Sequence, residues 1–156
     1  MNIYCKAALH QINIAVKSII EIIDKLEDSD LQKRPTPTKH SIGELLEHIT
    51  MICRADSLIA DGASKEEMHT FYTSASLNTL DEMKEALLNN YQLLEDKYEQ
   101  FTEDELQQVT TSYWGITYTY YEWLLEIISH LYHHRGQLHA ILIHCYAKDP
   151  KVPLFE

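Results

Sequence analysis

Residues 119–146 read TYYEWLLEIISHLYHHRGQLHAILIHCY, and this run decides the fold. Leu124, Ile127, Leu131, Leu138, Ile141 and Cys145 recur at the spacing that gathers side chains on one face of an α-helix. Thr119 and Glu122 stand three apart at its start. That is the spacing of a capping box, in which a hydroxyl and a carboxylate each take an amide proton of the first turn. Pro150 lies beyond the far end, near Tyr146. At about 100° per residue, His134 falls within the apolar stripe and His130 at its edge, about 40° away. His133 lies on the flank, and His139 faces away.

Three more helices follow by the same logic. Cys5, Leu9, Ile12, Val16, Ile19, Ile23 and Leu26 step alternately by four and three, one seam of a helix over about residues 2–28. Pro35 and Pro37 forbid helix in the linker. A second helix opens at the capping pair Ser41 and Glu44. It buries Leu45, Ile49, Ile52, Ala55 and Ile59, and stops at Gly62. Residues 61–78 are mostly polar and small, a long connection. Leu80, Met83, Leu87, Tyr91, Leu94, Tyr98 and Phe101 mark the third helix. Residues 102–118 alternate around Trp114-Gly115, as a short β-ribbon or an extended loop would. Four helices with one apolar stripe each predict an all-α four-helix bundle, a single domain over residues 1–156.

With 13 Lys and Arg against 24 Asp and Glu, the formal charge is −11, which disfavours nucleic acid and anionic membranes as partners. No apolar run approaches the roughly 20 residues needed to span a bilayer. Lys6, His10 and Lys17 interrupt what would be the apolar core of a signal peptide. Cys5, Cys53 and Cys145 are few, odd in number and far apart, which predicts a reducing compartment and a cytoplasmic protein.

Nine histidines are present, five of them between residues 130 and 144. His130 and His134 stand one turn apart on the inward face, as a helix offering two ligands to one metal requires. His48 lies at the edge of the second helix's stripe and is the candidate third. Three imidazoles from two helices make a site that leaves one coordination position free for water or substrate. The alternative is a set of hydrogen-bonded core histidines. Leu131 follows His130, so the H-E-x-x-H pattern of zinc proteases is missing.

The run from His130 to Gln137, ending in HHRGQ, resembles the signature of the DinB-like (damage-inducible, YfiT-type) metal-binding proteins. The run from Ser41 to Ile49, SIGELLEHI, resembles that family's second-helix motif. The resemblance covers the whole chain. It implies a bundle in up-down-down-up order, with residues 61–78 as the crossover between helices two and three. It implies a divalent metal, zinc or nickel, on His48, His130 and His134, and a homodimer. Relatives include bacillithiol-using thiol transferases and a mycothiol-dependent isomerase. It therefore implies metal-assisted thiol transfer, with a low-molecular-weight thiol such as bacillithiol, or hydrolysis of a small-molecule substrate. The other function class is a non-catalytic, stress-related protein that binds a metal or small molecule.

Other residues have two readings each. Gln137 contacts a ligand or sits on an exposed flank. Glu44 caps its helix or accepts an imidazole proton, and Glu126 lies one turn before His130. Arg135 reads as a solvated side chain, with anion binding as the alternative. Gly136 admits a close neighbour, either a helix or a partner subunit. Tyr113, Trp114, Tyr118, Tyr120, Tyr121 and Trp123 wall a pocket or cap the core. Cys53 and Cys145 read as buried, inert thiols.

Overall fold

A computed structural model describes residues 2–156, and the chain is mostly helical. Four long helices dominate: α1 (Ile3–Ile23), α2 (Ile42–Ala60), α4 (Leu80–Gln100) and α6 (Tyr120–Tyr146). Two short ones, α3 (Lys65–Ser74) and α5 (Glu103–Leu106), lie between them, with a ribbon of β1 (Val109–Thr111) and β2 (Thr117–Thr119). The ribbon is antiparallel, with Thr110 opposite Tyr118.

Local chemistry starts these helices. Ser41, Ser64, Thr79, Thr102 and Thr119 each accept the amide of a glutamate three residues on, at 3.1–3.3 Å. The first helix is shorter than its seam suggests. The chain leaves α1 after Ile23, and a 3-10 turn over Asp28–Gln32 follows. There the Glu27 amide donates to the Asp30 carboxylate at 2.9 Å. Leu26 is still buried, reached from outside the helix. The connection over residues 61–78 likewise contains α3, opened by Ser64 and Glu67. The region 102–118 resolves as α5 and the ribbon.

The turn carrying Leu31 rests on the start of α2. A Cβ at Gly43 would stand 2.9 Å from the Leu31 carbonyl oxygen, so glycine is required for this approach. At the other end of α2, Gly62 takes a φ of +85° just past the last turn, where a left-handed residue closes the helix.

Side-chain bonds give the helix directions. Lys84, early in α4, pairs with Asp24 beyond the end of α1 at 2.6 Å, so these two run antiparallel. Asn90 reaches the Thr50 carbonyl at 2.8 Å and Lys97 the Ser57 hydroxyl at 3.0 Å, so α2 and α4 run parallel. Tyr121 meets Tyr4 and Arg135 meets Ser18, so α6 runs parallel to α1. The main core joins α1, α2, α4 and α6 through residues such as Ile12, Ile19, Leu46, Ile49, Leu87, Leu94, Leu124 and Leu131. A smaller cluster of Ala55, Ile59, Ala60, Met68 and Trp123 ties α3 to α2 and α6. Among the described residues, no helix is long and apolar enough to cross a membrane.

The buried stripe of α6 is Trp123, Leu124, Ile127, Leu131, Arg135, Leu138 and Leu142. It is rotated from the sequence reading, and His134 stands at its margin rather than inside it. Ile141 is half-buried, and Cys145 is exposed, against the expectation of a buried thiol. The same rotation buries Arg135, which is 2% exposed and not solvated. A Cβ at Gly136 would meet no neighbouring atom within 4 Å, so no other helix among the described residues uses the space it leaves.

Candidate metal centre

α2 and α6 pack antiparallel, which sets His48, two turns into α2, against the middle of α6. The Nε2 of His48 lies 3.1 Å from the Nε2 of His130 and 3.1 Å from that of His134. The structure thus brings together the three imidazoles that the sequence singles out. All three are half-buried, and their ligand atoms lie within 4.8 Å of one another.

The outer nitrogens are held. His130 Nδ1 lies 2.8 Å from the Asp56 carboxylate, and His134 Nδ1 lies 2.8 Å from the Gln137 side-chain oxygen. Both partners accept, so both Nδ1 atoms carry the donated proton. In a neutral ring the Nε2 then bears a lone pair. Two such lone pairs point at His48 Nε2, which has at most one proton to give when neutral. The set is one donor short, and a cation at the centre satisfies all three. Zinc bonds of about 2.0–2.1 Å in a tetrahedron place ligand atoms about 3.3 Å apart, close to what these rings show. The donor set therefore fits a divalent ion.

Electrostatics agree with that role. Burial, and then the neighbouring His134 and His130, push His48 down to about 4, so its ring is neutral at physiological pH. Burial also lowers His134, with Gln137 acting in the opposite sense. The Asp56 carboxylate raises His130, outweighing desolvation. Glu126 is raised by burial and by the charge of Asp56. Asp56, Glu126 and His130 form a second group of close ligand atoms. Asp56 already takes the His130 Nδ1 proton, so we read this group as the acceptor side of that ring.

Glu44 does not reach an imidazole of the triad. It closes the Ser41 cap at 2.7 Å and binds Arg34 through both oxygens at 2.9 and 3.0 Å. Gln137 contacts a site ring, the first of its two readings. The aromatic group divides: Trp123 is buried and donates to Thr110 Oγ1, whereas Tyr113 and Trp114 are exposed.

Two residues, one at the centre and one beside it, escaped the sequence. Asp56 is 6% exposed, a charge among the apolar residues Ile52, Ala55 and Ile59, and that misfit was its signal. Tyr72, on α3, lines a cavity of about 290 Å3 with His40, Glu44, Glu47, His48, Met51 and Ala75. This cavity opens directly beside His48. A larger one, about 620 Å3, lies between Asn2, Tyr4, Glu103 and Tyr121, and no histidine or cysteine lines it. The smaller cavity is the one relevant to chemistry at the histidines.

A sequence model described as the DinB superfamily matches residues 11–138. A solved structure assigned to the DinB family, from Exiguobacterium sibiricum, is 30% identical over 99% of each chain, with a TM-score of 0.87. A DinB-like protein from Bacillus subtilis is 17% identical over 94% of this chain and 95% of its own, with a TM-score of 0.71. A mycothiol-dependent maleylpyruvate isomerase shares the fold at 12% identity and a TM-score of 0.65, over 88% of this chain and 63% of its own. No curated protein matches the chain.

Proposed function

Because the chain belongs to the DinB superfamily, we propose that His48, His130 and His134 hold a divalent metal, zinc or nickel, in an enzyme acting on a small molecule. The convergence of three Nε2 atoms, two of them 3.1 Å from the third, carries this reading. The reaction we favour is thiol S-transfer with a low-molecular-weight thiol such as bacillithiol, with hydrolysis as the other form. The mycothiol-dependent fold neighbour motivates the thiol. His48, His130 and His134 would hold the ion, which when bound would supply the positive charge that favours a thiolate or lowers the pKa of water to about 7.

The chain's own residues do the rest. Asp56 and Gln137 fix the tautomers of His130 and His134, so in the neutral rings the inner nitrogens carry the lone pairs. Burial keeps His48 neutral. The cavity beside His48 gives a small molecule a place next to that ring, walled by Met51 and Tyr72. That open cavity favours an enzyme over the second reading, a non-catalytic, stress-related protein that binds a metal or small molecule.

On this proposal residues 1–156 form one domain, a cytoplasmic homodimer subunit with no nucleic-acid partner. The four long helices form an up-down-down-up bundle on the same proposal. The antiparallel pairing of α1 with α4 and the parallel pairing of α2 with α4 support that order. The test is metal analysis of the purified protein beside His134→Ala. Wild type should hold about one divalent ion per chain, as a single three-ligand site does, and the variant far less. Equal metal content in the two would remove the site. A thiol-conjugation screen with bacillithiol follows, and turnover that persists in metal-free protein would overturn the mechanism.

A further inference from the structure

The wall of α2 beside His48 carries a carboxylate that no cation of the described chain engages. Glu47, the residue before His48, is half-buried. It lines the cavity of about 290 Å3 that reaches His48, Met51 and Tyr72. It also lines a second cavity, of about 210 Å3, with Arg34, Leu77 and Asn78. Glu44 is the other residue common to both. The two spaces adjoin along one side of α2, and Glu47 stands between them.

The two acids differ in what they hold. Both Glu44 oxygens take Arg34, and one of them also closes the Ser41 cap. Glu47 joins none of the ion pairs among the described residues. Its Oε2 accepts the Leu77 amide at 3.4 Å, well beyond the usual length of about 2.9–3.0 Å, and its Oε1 accepts nothing among the described residues. No described lysine or arginine lines the cavity that holds His48. Arg34, in the second cavity, is already committed to Glu44. Glu47 is also outside both groups of close ligand atoms, so it is not placed as a fourth ligand of the centre.

A carboxylate with a free acceptor on a cavity wall favours a ligand that donates, and a cationic donor most strongly. An anionic ligand there meets repulsion, and an uncharged one leaves the charge unmatched. Half-burial matters, because a fully exposed acid would be screened by water and select little.

We propose that the small molecule taken up beside His48 is a thiol bearing an ammonium group, and that Glu47 is the residue that selects for it. The assignment rests on the histidines acting as a metal centre for a thiol. A thiolate at the histidines is the negative end of such a ligand, and the ammonium is its positive end. Glu47 gives the positive end a partner one residue from His48, while Met51 and Tyr72 supply an apolar wall for the carbon chain. A thiol without the amine keeps the first contact and loses the second.

Glu47→Gln is the variant that decides. Glutamine keeps an oxygen for the Leu77 amide and removes only the charge, so a purely structural Glu47 leaves ligand preference unchanged. The probes are cysteamine and its propyl homologue, each against the hydroxyl-bearing thiol of the same length. They are titrated into the full-length protein, zinc-loaded and metal-free. The amides of His48 and Leu77 are the NMR reporters, the second because it donates to Glu47. In zinc-loaded wild type, the preference for at least one aminothiol over its hydroxyl counterpart should exceed that of Glu47→Gln about tenfold, the worth of one charged contact. Comparing the two proteins cancels the different acidities of the thiols. Metal-free protein should bind every probe more weakly and keep the preference for the amine. If zinc alters none of the affinities while the preference still depends on Glu47, the metal reading fails and the amine subsite stands. The same preference in wild type and Glu47→Gln, or no saturable Leu77 shift with either aminothiol in both forms, would overturn the proposal.

Discussion

Asp56→Asn separates a tuned metal site from three histidines that happen to meet. Asp56 Oδ2 sits 2.8 Å from His130 Nδ1, and its side chain is 8% exposed, so water screens the contact little. A hydrogen bond to a charged group contributes about 1.5–3 kcal/mol and a neutral one about 1. Asparagine keeps an acceptor oxygen and loses the charge, so the deficit is about 0.5–2 kcal/mol. That converts to a zinc affinity about 2–30-fold weaker. Competition with a chromophoric chelator at neutral pH reads it. The pH dependence has a defined sign. Asp56 raises His130 above its ordinary value of 6.5, and a proton on His130 competes with metal. The variant relieves that competition. Its deficit is therefore largest above the raised pKa of His130 and narrows as pH falls through it. Equal affinity in a folded variant, or a deficit that widens on acidification, would refute the reasoning.

Three other outcomes follow from the packing and the buried charges. Gly43→Ala drives a Cβ to 2.9 Å from the Leu31 carbonyl oxygen, and urea denaturation should show a loss of about 1–3 kcal/mol. Asp30 is 2% exposed and takes Lys33 and Lys148, each at 2.6 Å, and Asp30→Asn should cost about 2–3 kcal/mol in the same assay. Despite burial, the Glu27 amide and these two lysines hold the Asp30 carboxyl below its ordinary range. Its stabilisation is present above the unfolded pKa of about 3.9 and is lost as pH falls through the lower folded value, so the acid limb of unfolding should flatten in Asp30→Asn. Gln137→Leu removes the acceptor on His134 Nδ1 and should weaken zinc about tenfold in the chelator assay.

Much of this was readable from local pattern. Side chains that recur every three or four residues must share a face, so Cys5 to Ile23 and Leu80 to Tyr98 announced α1 and α4. His130 and His134 had to be neighbours on any helix, and their distance from His48 then depended only on α2 packing against α6. The misses are tertiary. α3 has a capping pair at Ser64 and Glu67, but only Met68 of its residues is buried, so it carries almost no apolar stripe. The α6 stripe includes a charged residue, and a reading by hydropathy passes over Arg135 and turns the helix too far toward Ile141 and Cys145. Asp56 is identified by its partner across the interface, which spacing within α2 does not reveal.

The central claim is tested most directly by crystals of the zinc-loaded protein measured at the zinc absorption edge. The account predicts one anomalous peak about 2.0–2.1 Å from the Nε2 atoms of His48, His130 and His134. A peak held by Asp56 and Glu126 instead, or at His133 or His139 with the three rings left facing one another, would contradict it.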